Sequence, residues 1–134
     1  MMVVDSGAWI DFFNGAGGPH ATRLREALRA EEDLVTLPIV VAEVLQGIRS
    51  DVAFEQARGV LEAVPCMELG PEGHVRAASL YRRLRKRGVT VRGIVDCLVA
   101  QACLDFKAQL LSPDADFAHI ARHAPLRVWS GVSG

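Results

Sequence analysis

The sequence predicts an α/β protein of three layers, with a central parallel sheet of four to five short strands between about seven helices. Three observations carry that expectation. Short apolar runs at 2–4, 34–36, 65–67, 109–111 and 126–128 alternate with stretches of helical periodicity. Strands separated by helices call for parallel pairing with helices on both faces. The chain has 134 residues, half of them hydrophobic, which suits a single domain over 1–134 able to bury its own core.

Taken in order, 2–4 reads as the first strand. Ser6 is placed to cap a short helix carrying Trp9, Ile10, Phe12 and Phe13, closed by Asn14-Gly15. From 20 to 32, Ala21, Leu24, Ala27 and Leu28 fall at helical spacing, and a second strand follows at 34–36. Pro38 suits the first turn of a third helix over 38–49. Ser50-Asp51 punctuates, and a fourth helix runs to about residue 63. A weak strand at 65–67 precedes Gly70-Pro71, which opens a long fifth helix ending at Gly88. Val91-Arg92 leads into a sixth helix through about residue 106. The strand at 109–111 is followed by a seventh helix from Pro113 to about His123, and by a last strand at 126–128. The first strand is expected at the centre, with the chain winding to one side and returning to the other. The crevice at the C-terminal ends of the strands flanking that switch point is the expected site.

Composition excludes several classes. The net charge of −1 announces no nucleic-acid binder, so any basic footprint is local. No apolar run is long enough to span a bilayer and no signal peptide precedes the first strand, which points to a cytoplasmic protein without membrane contact. Cys66, Cys97 and Cys103 match no zinc or redox spacing and are expected as buried, reduced thiols.

Candidate chemistry lies in carboxylates. Asp5 ends the first strand, where it also suits a helix cap. Glu43 sits in Ile39-Val40-Val41-Ala42-Glu43-Val44-Leu45, an apolar stretch read as a largely buried helix. An ionised carboxylate there needs a cation, either a metal or a structural arginine. Asp96 repeats the situation in Gly93-Ile94-Val95-Asp96-Cys97-Leu98-Val99-Ala100, with helix-dipole stabilisation as the structural alternative. Asp114 and Asp116 follow the 109–111 strand, and acids in a first helical turn are ordinary. The set carries the weight. Carboxylates about 4–5 Å apart repel by about 3–4 kcal/mol per pair at an effective dielectric near 20. All-oxygen donors favour a hard ion, Mg²⁺ or Mn²⁺, able to polarise a phosphate under attack by water.

Val3-Val4-Asp5-Ser6, Ala42-Glu43-Val44-Leu45, Asp96-Cys97-Leu98-Val99-Ala100 and Leu110-Leu111-Ser112-Pro113-Asp114-Ala115-Asp116-Phe117 resemble the successive motifs of PIN-domain nucleases, in order and over essentially the whole chain. Length and simplicity resemble the VapC-type toxins of prokaryotic toxin–antitoxin pairs. The resemblance implies a PIN-like fold and a metal-dependent endoribonuclease cutting structured RNA of the transfer or ribosomal class. It also implies a homodimer, neutralised by a cognate VapB-type antitoxin. Carried over by position, it makes Asp5, Glu43, Asp96 and Asp114 the catalytic metal-site acids, Asp116 an additional acid, and Ser6 and Ser112 accessory polar groups. Ser112 stands where the family more often shows Thr or Asn, and it keeps a hydroxyl. A PIN nuclease of RNA processing, or a silent binding protein whose acids satisfy arginines, are the alternatives.

Other features weigh less. Arg76, Arg82, Arg83, Arg85, Lys86 and Arg87 crowd the fifth helix, either as a solvated face or as an edge for RNA phosphates, with Arg85 and Lys86 the candidates. Arg92 can reach either a carboxylate or a substrate phosphate. His119 and His123 lack a third ligand, and the glycines at 15–18 lack a phosphate-loop ending. Trp9, Phe12 and Phe13 are expected as core or dimer contacts.

Overall fold

The computed structural model describes residues 1–131; the last three residues of the expected 1–134 domain lie outside the described residues. The elements are β1 (Met2–Val4), α1 (Ser6–Phe13), α2 (Pro19–Arg29), β2 (Leu34–Val35), α3 (Pro38–Gln46), α4 (Asp51–Glu62), α5 (Pro71–Lys86), α6 (Ile94–Phe106), β3 (Gln109–Leu111) and α7 (Asp116–Ala121). The sheet is parallel with order β2-β1-β3, so β1 is central as expected. Val3 pairs with Val35 on one side and Leu110 on the other. Val3 and Val4 point to opposite faces of the sheet, and neither is exposed at all, so helices cover both faces.

The sheet has three strands rather than four to five. The runs at 65–67 and 126–128 each contribute one parallel bridge, Thr36 to Cys66 and Leu110 to Val128. They sit beside the two edges as expected, but each makes a single rung, with Pro65 removing a donor next to the Cys66 bridge, and a ladder of one rung is not a strand. The edge position also explains Cys66. Cys97 and Cys103 are buried, whereas Cys66 is exposed, against the expectation of three buried thiols.

Local chemistry sets the helix limits. Ser50 Oγ accepts from Ala53 N–H at 3.1 Å and caps α4. Gly15 and Gly88 take φ +69° and +75°, closing α1 and α5. α3 stops at Gln46, three residues before the expected 49, because Gly47 disfavours continuation. Trp9 is fully buried in the core and stacks on Phe13 at 5.8 Å with an 18° interplanar angle, while Phe12 and Phe13 pack against that core only partly buried. Among the described residues no helix is long and apolar enough to cross a membrane.

Candidate metal centre

β1 and β3 deliver their C-terminal ends side by side, because Val4 is in register with Leu111 and Asp5 N–H donates to Leu111 O at 3.0 Å. That register fixes Asp5 next to Ser112. Ser112 Oγ donates to Asp5 Oδ2 at 2.9 Å and accepts from Asp114 N–H at 3.1 Å. One hydroxyl thus ties the end of β1 to the loop after β3. Asp114 Oδ1 in turn accepts from Asp116 N–H at 2.9 Å. These side-chain bonds hold 112–116 as a turn, so α7 begins at Asp116 rather than at the expected Pro113.

Gly7, which no sequence motif marked, also shapes the site. A Cβ there would lie 3.1 Å from Pro113 Cγ, so the side-chain-free backbone lets the start of α1 approach the Ser112–Asp114 loop. A glycine two residues after a strand-end carboxylate was the available signal.

A cavity of about 720 Å³ opens at this switch point, and Asp5, Glu43, Asp96 and Asp114 all line it, with Ser6, Gly93 and Arg92. The ligand oxygens of Asp96, Asp114 and Asp116 lie within 4.8 Å of one another. Asp5 and Glu43 stand on the cavity wall outside that tight group. Asp5 occupies the α1 N-cap position expected for Ser6, and the Ser6 side chain instead favours the charged form of Glu43. α3 is less buried than its apolar sequence predicts: only Val40 and Val44 are buried in it, Ile39 is 38 % exposed, and Glu43 is half-buried.

Among the described residues no guanidinium or ammonium pairs with Asp5, Glu43 or Asp96. Arg92 pairs with Asp114, Nη2 to Oδ2 at 2.7 Å, and its Nε lies 3.7 Å from Asp116 Oδ2. Arg85 and Lys86 are exposed at the end of α5 and do not line the cavity; Arg85 lies over the Tyr81 ring. His119 is exposed on α7 and His123 follows it, with no third ligand grouped beside them among the described residues.

The electrostatics follow from burial. Asp5 is pushed up by desolvation, against the backbone N–H groups of Ser6 and Gly7 and the Ser112 hydroxyl, with the Asp114 charge adding to the rise. Glu43 is raised by desolvation and by Asp5, and lowered by Ser6 and Arg92. Asp96 is pushed up to about 6 by desolvation, then by Asp114 and Asp5. Its Oδ2 is buried without a hydrogen-bond partner, a condition shared among described side chains only by the uncharged Trp9 Nε1 and Thr36 Oγ1. A buried carboxylate oxygen left unpartnered beside two further acids fits a hard cation, and the donors are all oxygen.

The fold and the site thus define an α/β protein with an acidic, all-oxygen cavity at the switch point of its parallel sheet. The family model of the PIN domain matches residues 2–123. Ribonuclease VapC11 of Mycobacterium tuberculosis is 32 % identical over 133 residues, which cover 97 % of this chain and 98 % of that protein. The chain therefore belongs to the PIN-domain family, among the VapC ribonucleases. The fold is likewise similar to solved structures. VapBC2 from Rickettsia felis, bound to a DNA fragment from its promoter, superposes with a TM-score of 0.77 at 15 % identity, covering 96 % of each chain. Mycobacterium tuberculosis VapC20, a sarcin–ricin-loop-cleaving toxin, gives 0.69 at 15 % identity, covering 89 % of this chain and 94 % of that one.

Proposed function

We propose that this protein is an endoribonuclease toxin that hydrolyses phosphodiester bonds of structured RNA, with residues 1–134 acting as one nuclease domain in the cytoplasm. The observation that carries the reading is the buried, unpartnered Oδ2 of Asp96 beside Asp114 and Asp116. Asp96, Asp114 and Asp116 hold a divalent cation, Mg²⁺ or Mn²⁺, and Asp5 completes the acidic wall. That cation supplies charge stabilisation to a phosphodiester under attack by water.

The remaining work falls to the chain's own groups. Ser112 fixes the rotamer of Asp5 and the Asp114 backbone through one hydroxyl. Ser6 orients Glu43, whose raised pKa suits it to take the proton of the incoming water on a carboxylate oxygen. In-line attack forms the new P–O bond as the bond to the leaving ribose oxygen breaks. Arg92 at the cavity, with Arg85 and Lys86 on α5, supplies cations for RNA phosphates. A VapB-type antitoxin and a second copy of this chain are the proposed partners. The resemblance to VapC11 and the fold shared with VapBC2 support them, and exposed Ile10 on the cavity wall, with exposed Ile39 on α3 and Ile94 on α6, supplies apolar surface.

The test is cleavage of a ribosomal-RNA hairpin and of a transfer RNA by the EDTA-stripped chain, with and without Mn²⁺. Cation-dependent cutting, lost in a folded Asp96→Asn variant, is expected; cutting in EDTA refutes the reading. Induced expression without a partner distinguishes a toxin, which arrests growth, from an RNA-processing PIN enzyme, which does not.

A further inference from the structure

The guanidinium of Arg92 occupies an unusual place. It is 79 % exposed, yet it touches two of the three acids grouped for a cation. The loop between α5 and α6 holds it there: Val91 beside it is buried in the core, and Gly93 beyond it lines the cavity and precedes α6. Both oxygens of Asp114 are engaged. Oδ1 accepts from Asp116 N–H at 2.9 Å, and Oδ2 accepts from Arg92 Nη2 at 2.7 Å. The first bond belongs to the turn that feeds α7. The second belongs to a solvent-facing side chain with few other restraints.

We infer that Arg92 is the internal counter-ion of the cation-free centre, competing with the divalent ion for Asp114 and Asp116 and passing to a substrate phosphate when the ion binds. The inference rests on the function proposed above and adds a role for this side chain. Without a cation, three carboxylate oxygens within 4.8 Å repel one another, and a guanidinium at hydrogen-bond distance relieves part of that repulsion. A dication at the same oxygens brings like charge against the guanidinium. The turn bond to Asp116 N–H is part of the backbone path, so Arg92 is the group that yields. Its planar fork is then left at the cavity mouth, where a phosphate is the anion that fits it. Arg92 is therefore a positioning residue for the empty site and a binding residue for the loaded one.

The experiment is calorimetric titration of Mn²⁺ into the EDTA-stripped full chain, comparing wild type, Arg92→Gln and Arg92→Lys, with no RNA present. The Gln variant is expected to bind Mn²⁺ about three- to tenfold more tightly, and the Lys variant close to wild type, consistent with loss of an exposed ion pair made to two acids. In cleavage assays the Gln variant is expected to need less Mn²⁺ for half-maximal rate while its KM for an RNA hairpin rises. Arg92 is solvent-exposed, so a thermal melt is expected to show the variants folded. Equal or weaker Mn²⁺ binding by the Gln variant, with wild type still binding, overturns this inference and leaves the proposed function standing. Failure of every protein to bind Mn²⁺ overturns both.

Discussion

Replacing Asp96 by Asn tests the central electrostatic claim without touching the fold. Asp96 is held at about 6 in the native chain against 3.8 for the ordinary carboxyl, mainly because burial penalises its charged form. A native pKa above the unfolded one means that the folded chain binds the proton more tightly between those values. The cation-free protein therefore carries no penalty from Asp96 below about pH 4, acquires it as pH rises through about 6, and bears it in full above about pH 7. A shift of about two pK units corresponds to about 3 kcal/mol. The side chain is only half-buried, so solvent screening reduces the figure to about 1–2 kcal/mol. Asp96→Asn is thus expected to raise the stability of the EDTA-treated protein at pH 8 by about 1–2 kcal/mol, or about 3–6 °C in Tm for a chain of this size. The gain should vanish at pH 4. Mn²⁺ at about 100 times its Kd should stabilise wild type by about 2.7 kcal/mol and leave the variant unmoved. Differential scanning fluorimetry in EDTA and in Mn²⁺, at pH 4 and pH 8, reads all four numbers. A variant less stable than wild type at pH 8 in EDTA, or one that keeps the Mn²⁺ shift, refutes the reasoning.

Three further outcomes are expected. Ser112→Ala removes the bond to buried Asp5 Oδ2 and the acceptor for Asp114 N–H, so urea unfolding should show a loss of about 1–3 kcal/mol. With that hydroxyl gone Asp5 rises further, so the acid limb of the pH–rate profile should move to higher pH. Glu43→Gln leaves a half-buried, uncharged group and should melt within a few degrees of wild type, while single-turnover cleavage falls by about 10²–10⁴-fold. A thiol reagent should modify one cysteine per native chain quickly. Cys66 is exposed, with its thiol raised by partial burial and the Glu68 charge, whereas Cys97 and Cys103 are buried and pushed up to about 11 and about 12; mass spectrometry after brief labelling identifies the site.

Much of the molecule was legible in its sequence because the signals are local. Alternation of apolar strands with amphipathic helices calls for parallel pairing, and right-handed crossovers that run out from β1 and return to its other side put helices on both faces. Carboxylates at the C-terminal ends of neighbouring strands fall at the switch point, which places Asp5 and Asp114 there from sequence, and Glu43 and Asp96 stand out as acids in apolar helices. What the sequence left open depended on separations between distant segments. Whether Arg92 reached a carboxylate or stayed free for a phosphate turned on how the loop after α5 packs against the turn after β3, 22 positions later in the chain. The exposure of α3 turned on which of its faces found neighbours. The strand-like runs ending at 67 and 128 shrank to single bridges because pairing needs donors in register, which apolar pattern alone does not supply. The hydrophobic period is a property of the chain itself, and it determined the three-layer architecture and marked the acids that stand in apolar surroundings. Ångström-scale distances between charges decide which of those acids share an oxygen cluster and which cation faces them, and only the packed tertiary structure sets those distances, because a hydrogen bond forms only within about 3 Å and Coulomb energy scales inversely with separation.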